Sequence, residues 1–233
     1  MALPKLESNR FKLKLPSTGK TIEYKPYTVK EEKFLLLARE SEDPTEMYTA
    51  LEDLLKACTF DKVDIRRLPV FEFEQLFIAV RAKSVGEIVP LQLSCSSCEV
   101  KSPVDINLLD AKVEGDMKRK MTIDLSDSIG ITMSYPRFST AEIIIGEGDE
   151  ADKIIDVLVD CVDSIYDNDN VYPAEEHTKE ELKEFIESLS AAQFQKLLQV
   201  YNNAPSTVLD IDFKCFSCGH DNHIKLEGMS SFF

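Results

Sequence analysis

The stretch LQLSCSSCEVKSPVDI, residues 91–106, has a counterpart far along the chain in LDIDFKCFSCGHDNHIKL, residues 209–226. In each, two cysteines spaced as CxxC stand between short runs in which apolar and polar residues alternate: Cys95 and Cys98 in the first, Cys215 and Cys218 in the second. Alternation predicts strands, and a CxxC between two strands predicts a hairpin with both thiols at its tip. Two thiolates at a tight turn grip one side of a metal ion. Two such tips facing each other complete a tetrahedral all-thiolate site, which zinc favours. The expectation is therefore a zinc-ribbon-like element in which Cys95, Cys98, Cys215 and Cys218 hold a structural zinc and staple the middle of the chain to its end. Gly219 suits a knuckle that needs positive φ, whereas Glu99 holds that place in the first knuckle. His220 and His223 stand near enough in sequence to replace a sulfur. An iron centre with the same four ligands is an alternative. A dithiol redox catalyst is another, although a thioredoxin-like CxxC opens a helix after a strand and both pairs here lie between strands. A closed four-thiolate site has no open coordination position, so no catalytic role is expected of it.

Outward from the knuckles, the period of the apolar residues changes. Before the first pair, Phe11, Leu13 and Leu15 alternate with lysines, PSTGK turns the chain, and residues 21–25 return as a second strand. Helices follow. Thr28 and Glu31 form a capping box before FLLLA. Asp43 and Pro44 start a second helix with Met47, Leu51, Leu54, Leu55 and Cys58 on one face. A third should run over residues 69–84 with Phe73, Leu76, Phe77 and Val80 inward and Gly86 ending it. After the first knuckle, more strand is expected near 113–124 and 129–135. Helix should resume after Ser139, which has Glu142 at capping-box spacing, and continue over about 149–165 with Ile154, Ile155, Leu158, Cys161, Val162 and Ile165 inward. Two further capping boxes, Thr178 with Glu181 and Ser190 with Gln193, open two more helices, and Pro205 stops the last.

The fold class expected is α+β. Four segments are read from the pattern: 1–86, a hairpin plus helices; 87–135, a β region with the first knuckle; 136–206, helical; and 207–233, a hairpin with the second knuckle. No Pro/Gly/Ser-rich linker divides them, so one cooperative unit is expected.

The chain has 233 residues, 43% of them hydrophobic, and a formal net charge of −15. That is enough length for a real core. No apolar run approaches the roughly 20 residues a membrane span requires, and the N-terminus shows no apolar signal segment. The chain is read as folding in a reducing cytoplasm, where CxxC pairs are metal or redox sites rather than disulfides. The negative charge opposes nucleic-acid binding. Beside the knuckles Lys101, Lys214 and Lys225 stand against Glu99, Asp212 and Asp221, so a zinc-ribbon nucleic-acid adaptor is only the alternative reading, and KRK at 118–120 is too short a basic piece to change it.

Other signals fail on inspection. STGK at 17–20 lacks the remaining residues of a phosphate loop and reads as a turn. DNDN at 167–170 begins like a calcium loop, but Tyr172 and Thr178 occupy the positions of its glycine and bidentate glutamate, and it reads as a helix-terminating loop. His177 has no evident nucleophile partner, and Cys58 and Cys161 fall on apolar helical faces as core residues. No catalytic set emerges. The C-terminal GMSSFF reads as a frayed end, or as a tail that docks Phe232 and Phe233 on a partner.

MALPKL, LPSTGK, YKPYTVKEEKFLLLA, IYDNDNVY, TKEELKEFIESLSAAQFQKL and the late CxxC together resemble the baseplate hub assembly family of T4-type contractile-tailed phages, over residues 1–220. The resemblance implies a non-enzymatic phage tail protein, either built into the baseplate hub or assisting its assembly as a chaperone of the hub or tape-measure protein. The implied partners are other hub or tape-measure proteins, in the host cytoplasm during assembly or in the finished baseplate. It transfers no functional residue beyond the cysteines, and it leaves a homo-oligomer open.

Overall fold

The computed structural model describes residues 8–41, 43–118 and 120–228. The architecture is α+β, with antiparallel sheets and helices interleaved along the chain. Strands β1 (Phe11–Lys14) and β2 (Thr21–Tyr24) form the first hairpin, and Leu15, Ile22 and Tyr24 turn inward from it. Helix α1 (Val29–Ser41) follows Thr28, where the Glu31 carboxylate accepts the Thr28 amide at 2.8 Å and also its hydroxyl. Helix α2 (Pro44–Cys58) starts as its sequence dictates: Asp43 accepts the Thr45 amide at 2.8 Å and Pro44 takes the first helical position, where no amide donor is needed.

Helix α3 (Val70–Val85) is apolar nearly all round and correspondingly buried on more than one side. Phe73, Leu76, Phe77 and Val80 enter a core shared with Leu15, Ile22, Leu51, Leu55 and Phe138. Ile78 and Ala82, on another face of the same helix, enter a core shared with Ile106, Leu108, Leu209 and Ile211. The helix ends at Gly86, φ +129°. Strands β3 (Ile88–Ser94) and β4 (Lys101–Asn107) then form the first knuckle hairpin.

The strand expected near 113–124 is divided between two sheets. Strand β5 (Lys112–Glu114) joins one sheet, and β6 (Met121–Asp124) and β7 (Gly130–Met133) belong to another. The break falls at Gly115, whose φ is +119° and whose missing Cβ would lie 2.9 Å from the Pro205 backbone, so only glycine lets the chain pass there. Residues 138–140 form a 3-10 turn that leads into α4 (Ala141–Ile145). Its cap is not the expected one. Thr140, not Glu142, closes it by accepting the Arg137 amide at 3.1 Å, and Glu142 reaches instead to Arg66 at 2.6 Å.

Helix α5 (Glu150–Cys161) is shorter than expected. At Val162 the chain becomes strand β8 (Val162–Tyr166), which pairs with β7, and Ile165 reaches the core from a strand. Ile154, expected inward, is 44% exposed. DNDN does not end a helix. It turns β8 into β9 (Val171–Pro173), with Asp167 accepting the amides of Asp169 and Asn170 at 2.8 and 2.7 Å. The sheet order is β6-β7-β8-β9, and α5, α6 (Lys179–Glu187) and α7 (Ala191–Asn202) contribute Leu158, Leu182, Ile186 and Leu197 to the core beside it.

Both late capping boxes form. Thr178 accepts the Glu181 amide at 3.2 Å while the Glu181 carboxylate accepts the Thr178 amide at 2.9 Å. Replacing such a cap by alanine costs about 1 kcal/mol. Thr178→Ala is therefore expected to lower Tm by about 2–4 °C in a thermal melt followed by circular dichroism, and an unchanged midpoint would contradict the assignment. Strands β10 (Ser206–Lys214) and β11 (Asp221–Glu227) close the described chain in the sheet β11-β10-β5. Phe232 and Phe233 lie outside the described residues, as do residues 1–7 and Arg119.

Candidate metal centre

Each knuckle is a hairpin tip held by two backbone hydrogen bonds. The Cys95 amide donates to the Val100 carbonyl at 3.0 Å and the Glu99 amide returns to the Cys95 carbonyl at 2.9 Å. In the second tip the Cys215 amide donates to His220 at 2.8 Å and the Gly219 amide to Cys215 at 2.9 Å. The same turn occurs a third time. At LPSTGK, Leu15 donates to Lys20 and Gly19 to Leu15, both at 2.8 Å. There an apolar Leu15 stands where the other two hairpins carry their first cysteine. The turn is thus a general device of this chain, and cysteine makes two of the three into knuckles.

The turn requires a left-handed residue, and the three positions have φ values of +68° at Gly19, +61° at Glu99 and +73° at Gly219. Only Glu99 carries a side chain. A non-glycine residue pays about 1 kcal/mol there, and the extra freedom of glycine in the unfolded chain offsets about half of that. Glu99→Gly is expected to raise Tm by roughly 1–2 °C. A lowered midpoint would show that the Glu99 side chain contributes something the backbone argument omits.

The two tips face each other. Cys95 Sγ lies 3.7 Å from Cys218 Sγ, and Cys98 Sγ lies 3.7 Å from Cys215 Sγ. All four sulfurs fall within 4.8 Å of one another. Zinc–sulfur bonds of about 2.3 Å in a tetrahedron place sulfurs about 3.8 Å apart, so the two 3.7 Å contacts match such an ion. A disulfide would need about 2.05 Å, and all four cysteines are free. Each short contact runs between knuckles rather than within one, so a bound ion would tie the β3–β4 hairpin to the β10–β11 hairpin.

The electrostatics also fit a cation. The amide of Cys218 and then that of Ser217 bring Cys215 down to about 6 against the opposing effect of burial. Burial pushes Cys95 up, but the amides of Ser97 and Cys98 and the Asn222 carboxamide outweigh it and leave it below its ordinary value. Cys98 goes the other way. The Val100 amide pulls it down, yet hydrogen bonding to the crowded sulfurs of Cys218, Cys215 and Cys95, with burial, pushes it up to about 12. The first thiolates form readily and a later one does not, because negative sulfurs this close repel. A divalent cation at the centre removes that obstacle.

Two supporting residues escaped the sequence reading. Asn222, 6% exposed, accepts the Ser96 amide at 2.8 Å and the Ser96 hydroxyl at 2.9 Å, and directs its Nδ2 at Cys95 Sγ, 3.6 Å away. It therefore locks the second hairpin to the tip of the first. Ser102, 2% exposed, occupies the equivalent place on β4 and lies against Cys215. Each stands seven positions after the first cysteine of its own pair, so aligning the two CxxC segments would have shown a buried polar residue in register. The histidines are not in the cluster. His223 Nδ1 is 2.8 Å from Asp212 and Nε2 is 3.7 Å from Asp210, and the cluster itself is four sulfurs.

Cys58 and Cys161 sit in cores far from these tips, and burial foremost pushes both thiols up to about 12. His177 is exposed beside α6, 3.6 Å from Glu181, and STGK is the turn already described, with the Ser17 amide and hydroxyl both donating to Glu72 at 2.9 and 2.7 Å. No helix among the described residues is long and apolar enough to cross a membrane.

Comparison with known proteins adds what the geometry does not carry. The chain is 25% identical over 215 residues, 92% of its length and 93% of the relative's, to the baseplate hub assembly protein gp26 of Enterobacteria phage T4. No solved structure matches. The family described as T4 bacteriophage base plate protein matches residues 8–233. On that match, which covers nearly the whole sequence, the chain belongs to the T4 bacteriophage base plate protein family.

Proposed function

We propose that this chain is a non-enzymatic phage tail protein that acts in assembly of the baseplate hub, in the host cytoplasm, through contacts with other hub proteins or the tape-measure protein. The observation that carries the reading is similarity over 92% of the chain to a baseplate hub assembly protein. The geometry agrees with it. Among the described residues the group of side chains that could hold a metal is a set of four thiols, and with an ion bound that set leaves no open coordination position for a substrate. Lys225, one of the few cations near the knuckles, is tied to Glu114 at 2.9 Å, which leaves little for a nucleic-acid backbone.

Within this reading Cys95, Cys98, Cys215 and Cys218 hold one structural zinc in a zinc-ribbon-like element. The chain's own residues surround it: the knuckle amides lower two of the thiols, and Asn222 directs its Nδ2 at Cys95. Packing supports a single cooperative unit, because the core around Ile78, Ile106 and Leu209 draws on three of the four sequence segments.

Deleting the coding sequence from the viral genome and imaging the lysate tests the assembly role. Expected are filled heads without baseplates or contractile tails, restored by the chain supplied in trans. Normal tails in the deletion would overturn it.

A further inference from the structure

We propose that a cationic cleft at the seam between the α3 core and the β6-β7-β8-β9 sheet is a docking site for a carboxylate-bearing segment of a partner protein. The cleft has a volume of about 530 Å³. Lys20, Arg67, Lys120 and Arg137 line it, against the carboxylates of Glu72 and Asp163. In a chain of net charge −15, four cations against two carboxylates around one cavity leave a local positive excess, and such an excess favours an anionic ligand.

Of the two carboxylates Asp163 neutralises Lys120, which leaves Lys20, Arg67 and Arg137 as the lining cations that neither carboxylate pairs. Glu72 is 1% exposed and bound to the Ser17 amide and hydroxyl, and Asp163 is paired with Lys120 at 2.6 Å. Arg67 holds only a loose, exposed contact with Asp64 at 3.5 Å. Arg137 is half-buried, its guanidinium meets nothing closer than the Ser134 hydroxyl at 3.5 Å, and no carboxylate pairs with it among the described residues. A partly desolvated arginine without a partner is a site prepared for a planar carboxylate, which its fork can hold with two hydrogen bonds.

The remaining walls decide the ligand class. Leu15, Leu68, Pro69 and Phe71 give the cleft an apolar side suited to an aliphatic or aromatic residue next to the carboxylate. A phosphate site would offer free backbone amides at a helix start. Here the amides of Val70, Glu72 and Phe73 are already spent on Pro136 and Pro69. An acidic peptide segment with an apolar neighbour satisfies both walls, and a nucleic-acid backbone satisfies only one.

The position gives such docking a consequence. The floor of the cleft is the antiparallel contact in which Val70 donates to Pro136 at 3.0 Å and Phe138 donates to Leu68 at 2.8 Å, around the Pro69–Arg137 bridge. A segment bound there touches both sides of the seam. The proposal rests on the assembly reading only in taking the ligand to be protein.

The test uses the full chain with its metal and a fluorescein-labelled Glu-Leu-Glu-Phe-Glu peptide, followed by anisotropy. Saturable binding is expected, displaced by salt and weakened at least tenfold by Arg137→Gln. Because Arg137 also sits near the seam, Lys20→Glu, at an exposed lysine outside every ion pair described, serves as the second variant and is expected to weaken binding at least tenfold without shifting the melting point. Lys101→Glu, at the knuckle hairpin, should leave it unchanged. Binding that survives both cleft variants would overturn the site. So would a single-stranded oligonucleotide or inorganic phosphate that outcompetes the peptide at the same residues, which would make it an anion site of another class. If tail assembly fails in the deletion yet is restored by the cleft variants, the site falls and the assembly role stands. If the peptide binds as expected but tails form without the chain, the converse holds.

Discussion

Protein purified without added metal is expected to carry one zinc per chain, and stripping that zinc with a chelator is expected to lower Tm by about 10–20 °C. The size follows from two quantities. Structural zinc sites contribute about 10–16 kcal/mol of apparent binding energy in isolated zinc-finger peptides, whereas a whole domain is stable by only about 5–15 kcal/mol. The two hairpins here keep other support, since Ile106, Leu209 and Ile211 pack on α3 whether or not an ion is bound. Losing about 5 kcal/mol is a reasonable share, and at this chain length each kcal/mol is worth about 2–4 °C. The damage should be local first. The other two cores contain none of the four cysteines, so hydrogen exchange should accelerate in β3, β4, β10 and β11 before it does in α2 or α5. Cys95→Ser with Cys215→Ser should reproduce the chelated state, and chelation should then add nothing. Chelation should also release four titratable thiols, while Cys58 and Cys161 stay protected by burial. A coloured protein with thiolate-to-iron absorption would replace zinc by iron at the same ligands. No metal, with an unchanged Tm in the serine variant and one fast-reacting dithiol, would remove the staple altogether and revive redox chemistry.

The cysteine tips were legible because CxxC between alternating runs has few physical solutions, and the capping boxes at Thr178 and Ser190 were legible because each is set within four residues. What escaped was decided by partners distant in sequence. Residues 161–165, Cys-Val-Asp-Ser-Ile, continue the helical apolar period of α5 and also suit a strand, and the pairing of Val162 with Met133 settles it. No local signal reports that pairing. The strand expected near 113–124 is divided between two sheets at Gly115, which must pass the Pro205 backbone, a contact ninety residues away. Ser139 and Glu142 have the right spacing for a box, but Arg66 offers Glu142 a charged partner and Thr140 satisfies the Arg137 amide instead. DNDN differs in another way: Asp167 binding the amides of Asp169 and Asn170 is hairpin-turn chemistry, and its flanks IY and VY are strand residues where the apolar period suggests a helix ending near 165. The cationic cleft was invisible for the same reason as these. Lys20, Arg67, Lys120 and Arg137 are scattered over the sequence, and only the fold collects them.

Phe138→Ala is expected to be among the most destabilising single substitutions outside the knuckles. Phe138 is 4% exposed and lies in the segment between β7 and α4, yet its ring belongs to the α2–α3 core. It stacks on Phe73 with ring centres 4.0 Å apart and planes at 16°, and on Tyr48 at 5.0 Å and 27°. Truncating a buried phenylalanine costs about 3–5 kcal/mol through lost transfer energy and an unfilled cavity, so Tm should fall by roughly 6–20 °C. Phe138→Leu keeps most of the volume and should lose far less. Because the rings of Phe73 and Phe138 touch, the double variant Phe73→Ala with Phe138→Ala should be less destabilised than the two single losses together. The same variant reads the cooperativity of the chain. If the four segments form one unit, Phe138→Ala lowers a single transition, and probes of the β6-β7-β8-β9 sheet and of the helices move together. If instead that sheet with α5, α6 and α7 is independent, the melt divides and its second half keeps the original midpoint. A shift of under about 2 °C would show that the aromatic stack does not join the two regions energetically, and the connection would then rest on the backbone contacts around the Pro69–Arg137 bridge and on the Arg66–Glu142 ion pair.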